Sequence, residues 1–248
     1  VIAEYLGLNP QPTYNVDAVC ASSGVGVRNA YALINSGLHE VVAVIGFQKM
    51  TELRSDEIQE VMGRSGDVMW ESPFGPTMPA YFATYANAHM HKYGTTEEQL
   101  AEVALKNHFY ATKNPKAMFQ KEITVEEVMK SRPIATPLKQ YDCCANSDGA
   151  AVLILASEEK AKKITDTPVW IAGLGLASSP MSLTGRGLSL TSFTCSVEAA
   201  KQAYQMARIT PKDVDVAEVH DCFTITEIIN YEDLGFCERG QGGRCVQE

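Results

Sequence analysis

No stretch of this chain stays apolar for the roughly 20 residues that a bilayer-crossing helix needs. Basic residues are in the minority: 21 Lys and Arg stand against 30 Asp and Glu, a formal net charge of −9. That balance argues against nucleic acid or an anionic membrane surface as the main partner. The seven cysteines are odd in number and contain no C-x-x-C pair. They do not suit a disulfide scaffold and fit a reducing, cytoplasmic setting. The His220-Asp-Cys222 step resembles half of a metal site, but no second pair with ligand spacing exists, so no metal is expected. There is no secretory leader, and the chain opens on Val1 as if in mid-element.

What is present is ordinary for a soluble enzyme. Apolar residues make up 45% of the 248 positions and charged residues 21%, enough for a sizeable core in one or two domains. Tyr14 to Val19 reads as a strand and Ala21 to Asn35 as a helix with Val25, Ala32 and Leu33 at core-facing spacing and Gly37 as its stop. Val41 to Gly46 is a fully apolar strand, which makes a βαβ unit with a parallel sheet. Cys20 falls at the strand–helix junction, followed by Ala21, Ser22, Ser23 and Gly24. A thiol there is favoured as thiolate by the helix N-terminus and is approachable. Local sequence equally allows a buried structural cysteine, since free Cys is among the most buried residue types.

A second junction has the same layout. The apolar run Val214 to Val219 leads to His220-Asp221-Cys222-Phe223, then to a helix over Thr224 to Leu234. Catalytic groups at the carboxyl ends of strands are what open α/β sheets offer. Between the two junctions, helices are predicted at Tyr81–Lys92, Glu97–Tyr110 and Val125–Lys130, with a capping box at Thr95-Thr-Glu-Glu98. Gly149 to Ala156 reads as a strand and Ser157 to Lys163 as a helix. Val169 to Leu176 reads as a further strand, and Thr194 to Ala207 as a helix with one apolar face. Gly173-Leu-Gly175 is too short for a dinucleotide fingerprint.

The Cys20-Ala-Ser-Ser-Gly24 junction, the His220-Asp-Cys-Phe223 signature and Cys143-Cys-Ala-Asn-Ser-Asp-Gly-Ala-Ala151 together resemble the thiolases. So do His89-Met-His-Lys-Tyr-Gly94, Lys106-Asn-His108 and Glu126-Glu-Val-Met129. The branch they resemble is the sterol-carrier-protein type with its archaeal and bacterial relatives, in which His-Asp-Cys-Phe replaces the Asn-Glu-Ala-Phe of other thiolases. The resemblance implies a layered α/β/α/β/α fold of two related halves with an inserted loop domain. On that pattern residues 1–50 begin the N-terminal half and 51–140 form the loop domain. Residues 141–166 return to the first half, and 167–248 belong to the C-terminal half. It also implies an internal fragment, truncated at both ends, because the family's Gly-His-Pro segment is not in this sequence.

By the same resemblance Cys20 carries the acyl group, Cys222 is the acid/base at the α-carbon and His220 contributes to an oxyanion site. Met78 stands where thiolases put a pocket-lining methionine, though a plain core Met fits equally. Cys143 and Cys144 adjoin a strand and are expected to pack or line a cavity. The implied activity is acyl-CoA:acetyl-CoA C-acyl transfer. Coenzyme A thioesters are its substrates, and no other cofactor is implied. The resemblance further implies a homodimer or homotetramer, and some relatives work with a small OB-fold, zinc-bearing partner. A thiolase-like synthase of the HMG-CoA or ketoacyl type, or a non-catalytic scaffold subunit, are the alternative readings.

Overall fold

The computed structural model describes residues 2–180, 182, 183, 185 and 189–247. In chain order its helices are α1 (Ile2–Tyr5), α2 (Ser22–Asn35), α3 (Ser55–Gly63), α4 (Met78–Tyr93), α5 (Glu97–Ala111) and α6 (Val125–Lys130). They continue with α7 (Glu158–Ile164), α8 (Thr194–Ala207), α9 (Thr224–Asp233) and α10 (Gly242–Cys245). The strands are β1 (Val41–Gln48), β2 (Pro133–Ala135), β3 (Leu138–Lys139) and β4 (Gly149–Ala156). The chain has the mixed α/β character its patterning implies. It divides into two compact units, Val1–Gln48 with Gly149–Trp170, and Lys49–Asp148 with Ile171–Glu248.

In the first unit α2 lies on β1. A side chain at Gly26 would come 2.9 Å from Val44 Cγ1, so the bare glycine permits this approach. Gly37 closes the helix at φ +78°, its N–H donating to the Ile34 carbonyl at 3.0 Å. β1 pairs with β4 in one unbroken antiparallel register, from Val41 opposite Ala156 to Gln48 opposite Gly149. This corrects the parallel βαβ expectation. Tyr14 to Val19 carries no ladder, and the partner of β1 is the returning strand from more than a hundred residues later. Ser157 follows, its N–H donating to the Glu40 carbonyl at 2.8 Å and its hydroxyl capping α7.

The second unit is built around α9. Ile225, Ile228 and Ile229 are fully buried among Tyr85 and Ala86 of α4, Leu100 and Val103 of α5, Leu138 and Phe223. Each such isoleucine contributes about 1.5–3 kcal/mol by leaving water. A smaller cluster joins Ala101 and Ala104 of α5 to Ile123 and Val128. The box that caps α5 is one residue later than predicted. Thr96 Oγ1 accepts from the Gln99 N–H at 3.3 Å, and Gln99 Oε1 accepts from the Thr96 N–H at 3.2 Å. Thr95 is unavailable because its hydroxyl is 2.7 Å from buried His89 Nδ1.

Val169 to Leu176 and Val214 to Val219 were expected as strands, and neither forms a ladder among the described residues. β-Branched runs favour extended backbone, but a strand also needs a partner edge. Residues 173–175 lean instead on α8. Any side chain at Gly173 would meet the Ala203 carbonyl at 2.2 Å, and one at Gly175 the Ala199 carbonyl at 1.7 Å. Both glycines serve that close approach.

Candidate active site

Cys20 lies in a single 3₁₀ turn, Val19–Ala21, that runs into α2. It is exposed. The turn is pinned from both sides. The Val19 N–H donates to Asp17 Oδ1 at 2.9 Å, and the Ala18 N–H donates to Ser22 Oγ at 2.8 Å. The Ser22 hydroxyl in turn lies 2.7 Å from the Val19 carbonyl. Val19 itself sits at φ +52°. A β-branched residue there is strained, and such strain persists only where neighbours over-determine it. The cysteine is therefore presented by a forced turn, with small residues following it.

In the second unit the His220–Phe223 tip is held at every residue. The His220 carbonyl accepts from Asn230 Nδ2 at 2.9 Å. The Asp221 carboxylate accepts from Asn107 Nδ2 at 2.8 Å. The Cys222 carbonyl accepts from the Cys144 N–H at 3.0 Å, and Phe223 bridges Cys143 in antiparallel fashion. Phe223 also stacks on Phe82 with ring centroids 4.4 Å apart. Next along, Thr224 Oγ1 donates to Asp142 Oδ1 at 2.9 Å. The Cys222 sulfur is 3.5 Å from the Thr226 hydroxyl.

His220, Thr226 and Asn230 line a cavity of about 270 Å³ together with Met78, Tyr81, Phe82, Tyr85 and Phe193. The structure thus brings Met78 and His220 to one concave space within one unit, and the Cys222 sulfur reaches the hydroxyl of Thr226, which lines that space. Cys20 belongs to the other unit. Cys143 packs against the apolar core, and burial together with the Asp142 charge pushes its thiol up to about 12. His108 is used locally, its Nδ1 2.9 Å from the Lys121 carbonyl and its ring stacked on Phe119. No group of three or more His, Cys, Asp or Glu among the described residues could hold a metal.

The polar support of the tip was not legible from the motifs. Glu227 is buried in α9, where Lys106 Nζ reaches Oε1 at 2.8 Å and Asn107 Nδ2 reaches Oε2 at 2.9 Å. Tyr231 also donates to Oε1, and burial and that carboxylate raise the tyrosine's pKa. Asp221 is raised too, by desolvation and then by the Glu227 charge. In the sequence Lys106-Asn107 stand only as part of the Lys106-Asn-His108 stretch that resembles the family.

Residues 2–159 match the family described as thiolase, N-terminal domain, and residues 176–248 match thiolase C-terminal domain-like. The chain belongs to the thiolase family. It is 42% identical to an acetyl-CoA acetyltransferase of Methanothermobacter thermautotrophicus, over all of this chain and 64% of that relative. It is 37% identical to sterol carrier protein 2 of Bos taurus, over 98% of this chain and 47% of the bovine protein. Among solved structures it is similar to the Ltp2-ChsH2(DUF35) aldolase. That likeness has a TM-score of 0.80 and 28% identity, covering 99% of this chain and 65% of that one. The chain therefore spans just under two thirds of the archaeal relative's length. No helix among the described residues is long and apolar enough to cross a membrane.

Proposed function

We propose that this chain forms part of an acyl-CoA:acetyl-CoA C-acyltransferase that works through an acyl-Cys20 intermediate. The observation that carries the reading is the four-residue tip His220–Phe223, clamped residue by residue beside a cavity that also holds Met78. The similarity to an archaeal acetyl-CoA acetyltransferase supports it.

In this reading the Cys20 thiolate attacks the thioester carbonyl, a new carbon–sulfur bond forms and coenzyme A leaves as its thiolate. Thioester exchange of this kind is nearly isoenergetic, which suits a sulfur nucleophile. Cys222 removes a proton from the α-carbon of the second acyl-CoA. His220 donates to the enolate oxygen that develops, the carbanion attacks the acyl-Cys20 carbonyl, and the carbon–sulfur bond breaks to return Cys20 as the thiolate. Thiolysis is the same path reversed. Met78 and the aromatic rings line a space whose apolar character suits an acyl chain. We place the enzyme as a homodimer or homotetramer.

A second reading is favoured by the aldolase similarity. There the chain would cleave or join carbon–carbon bonds as part of a complex with a small OB-fold, zinc-bearing partner. Thiolysis of acetoacetyl-CoA by the purified full-length protein separates the two. Activity without added partner, lost in Cys20→Ala, supports the acyltransferase. Aldol cleavage that survives Cys20→Ala supports the second.

A further inference from the structure

Asp221 is the one polar side chain of the His220–Cys222 step to which the proposed reaction gives no task. It is held by a side chain from a different helix. Asn107, on α5, spends its whole amide on this corner. One Nδ2 proton goes to Asp221 Oδ2 at 2.8 Å and the other to Glu227 Oε2 at 2.9 Å, while Oδ1 accepts from Lys106 Nζ at 2.7 Å. Lys106 Nζ also reaches Glu227 Oε1 at 2.8 Å, and Tyr231 donates to the same oxygen. Two carboxylates facing each other would repel. A neutral amide nitrogen with two diverging protons is the group that joins them without adding charge, and Lys106 supplies the cation at the side.

The geometry points to Asn107 as a positioning residue for the proposed condensation: it ties Asp221 to Glu227 of the buried helix α9 and so fixes where His220 and Cys222, its two neighbours, present their side chains. The inference rests on the acyltransferase reading for the roles of those two residues. The physical basis for Asn107 is separate. Glu227 is 1% exposed on the helix whose isoleucines fill the core, so Asn107 connects the tip to the buried centre of the unit. A misplacement of about 1 Å at a reacting centre costs on the order of 10²-fold in rate.

The test uses Asn107→Ala and the isosteric Asn107→Asp in the purified full-length protein. Asn107→Ala is expected to lower kcat for condensation by about 10²-fold while KM for acyl-CoA and the rate of Cys20 acylation stay within about twofold. Asn107→Asp puts a third carboxyl between Asp221 and Glu227, faced also by Lys106, Tyr231 and His220. Its kcat should be low at neutral pH and recover toward wild type as acid protonates that cluster and restores a donor. A purely structural role would give no such pH-dependent recovery. Normal kcat in Asn107→Ala, or equal loss of acylation and condensation, overturns the inference. If full-length wild-type protein shows no thiolysis at all, the acyltransferase reading falls, and alkylation of Cys222 by iodoacetamide decides on Asn107. Loosening of the tip predicts roughly fivefold or faster labelling in Asn107→Ala, and an unchanged rate overturns the role.

Discussion

Asn230 reaches back ten residues along its own segment to hold the carbonyl of His220, Nδ2 to O at 2.9 Å. The bond joins the buried side of α9 to the first residue of the tip. α9 is anchored by three fully buried isoleucines, so the tip inherits the rigidity of the core.

Asn230→Ala should therefore act on stability and on rate. Losing the bond costs about 0.5–1.5 kcal/mol, more if the His220 carbonyl finds no water. Urea unfolding reads that loss. Steady-state kinetics should show kcat falling by about tenfold with little change in KM, since acylation at Cys20 does not use the tip. A variant with the predicted stability loss and wild-type kcat would show that the His220 carbonyl bond serves the fold alone.

The two cysteines should divide the reaction. Cys222→Ala is expected to accept an acyl group on Cys20 and then stall, with turnover down by about 10²–10⁴-fold. Cys20→Ala should lose both steps. Reactivity should follow exposure and protonation. Cys20 is exposed, whereas Cys143 is partly buried with its thiol pushed up to about 12. Iodoacetamide near neutral pH should label Cys20 well before Cys143, and acyl-CoA should protect it. Peptide mapping that finds Cys143 labelled first contradicts the assignment.

Much of this arrangement could be read from the chain, and the gaps have physical causes. α8 and α9 match their predicted spans closely because apolar spacing and boundary residues agree there. β1 and β4 were visible as apolar runs, but not that they would pair with each other in antiparallel register. Register and partner depend on which edge lies nearby, and one strand's pattern does not encode that. The extended runs before the two junctions failed as strands for the same reason. Around the proposed site, motif resemblance singled out His220, Cys222 and Met78. Asn107, Glu227 and Asn230 were not, because a buried hydrogen-bonding residue on a helix looks in sequence like a solvent-facing one.

Val19 offers a test of the strained turn before Cys20. Its φ of +52° is a region that Asn occupies far more readily than a β-branched residue. Val19→Asn should raise stability by about 0.5–1 kcal/mol, part of the 1–3 kcal/mol typical of such strain. Val19 is exposed, so little packing is lost. A fall in stability would mean that the valine side chain makes a contribution larger than the strain. A fall in acylation rate alongside higher stability would mean that the strain helps to present the sulfur.

The pair His89–Glu232 should give the fold an acid-sensitive component. Both side chains are fully buried, with Nε2 to Oε1 at 3.2 Å, and the same oxygen accepts from the Gly242 N–H at 2.9 Å. Burial alone would raise the Glu232 pKa, but the hydrogen bonds from His89 and Gly242 outweigh it and hold the carboxyl below its ordinary 4.5. A carboxyl depressed in the folded state binds its proton more readily when unfolded. Its stabilisation is thus present above the unfolded value and is lost as pH falls through the lower folded one. Wild type should exceed Glu232→Gln in urea stability at pH 7 by about 1–3 kcal/mol. That advantage should hold down to the ordinary glutamate range and shrink below it. A difference that stays constant through acidification would show that the charge on Glu232 contributes nothing and that only its shape matters.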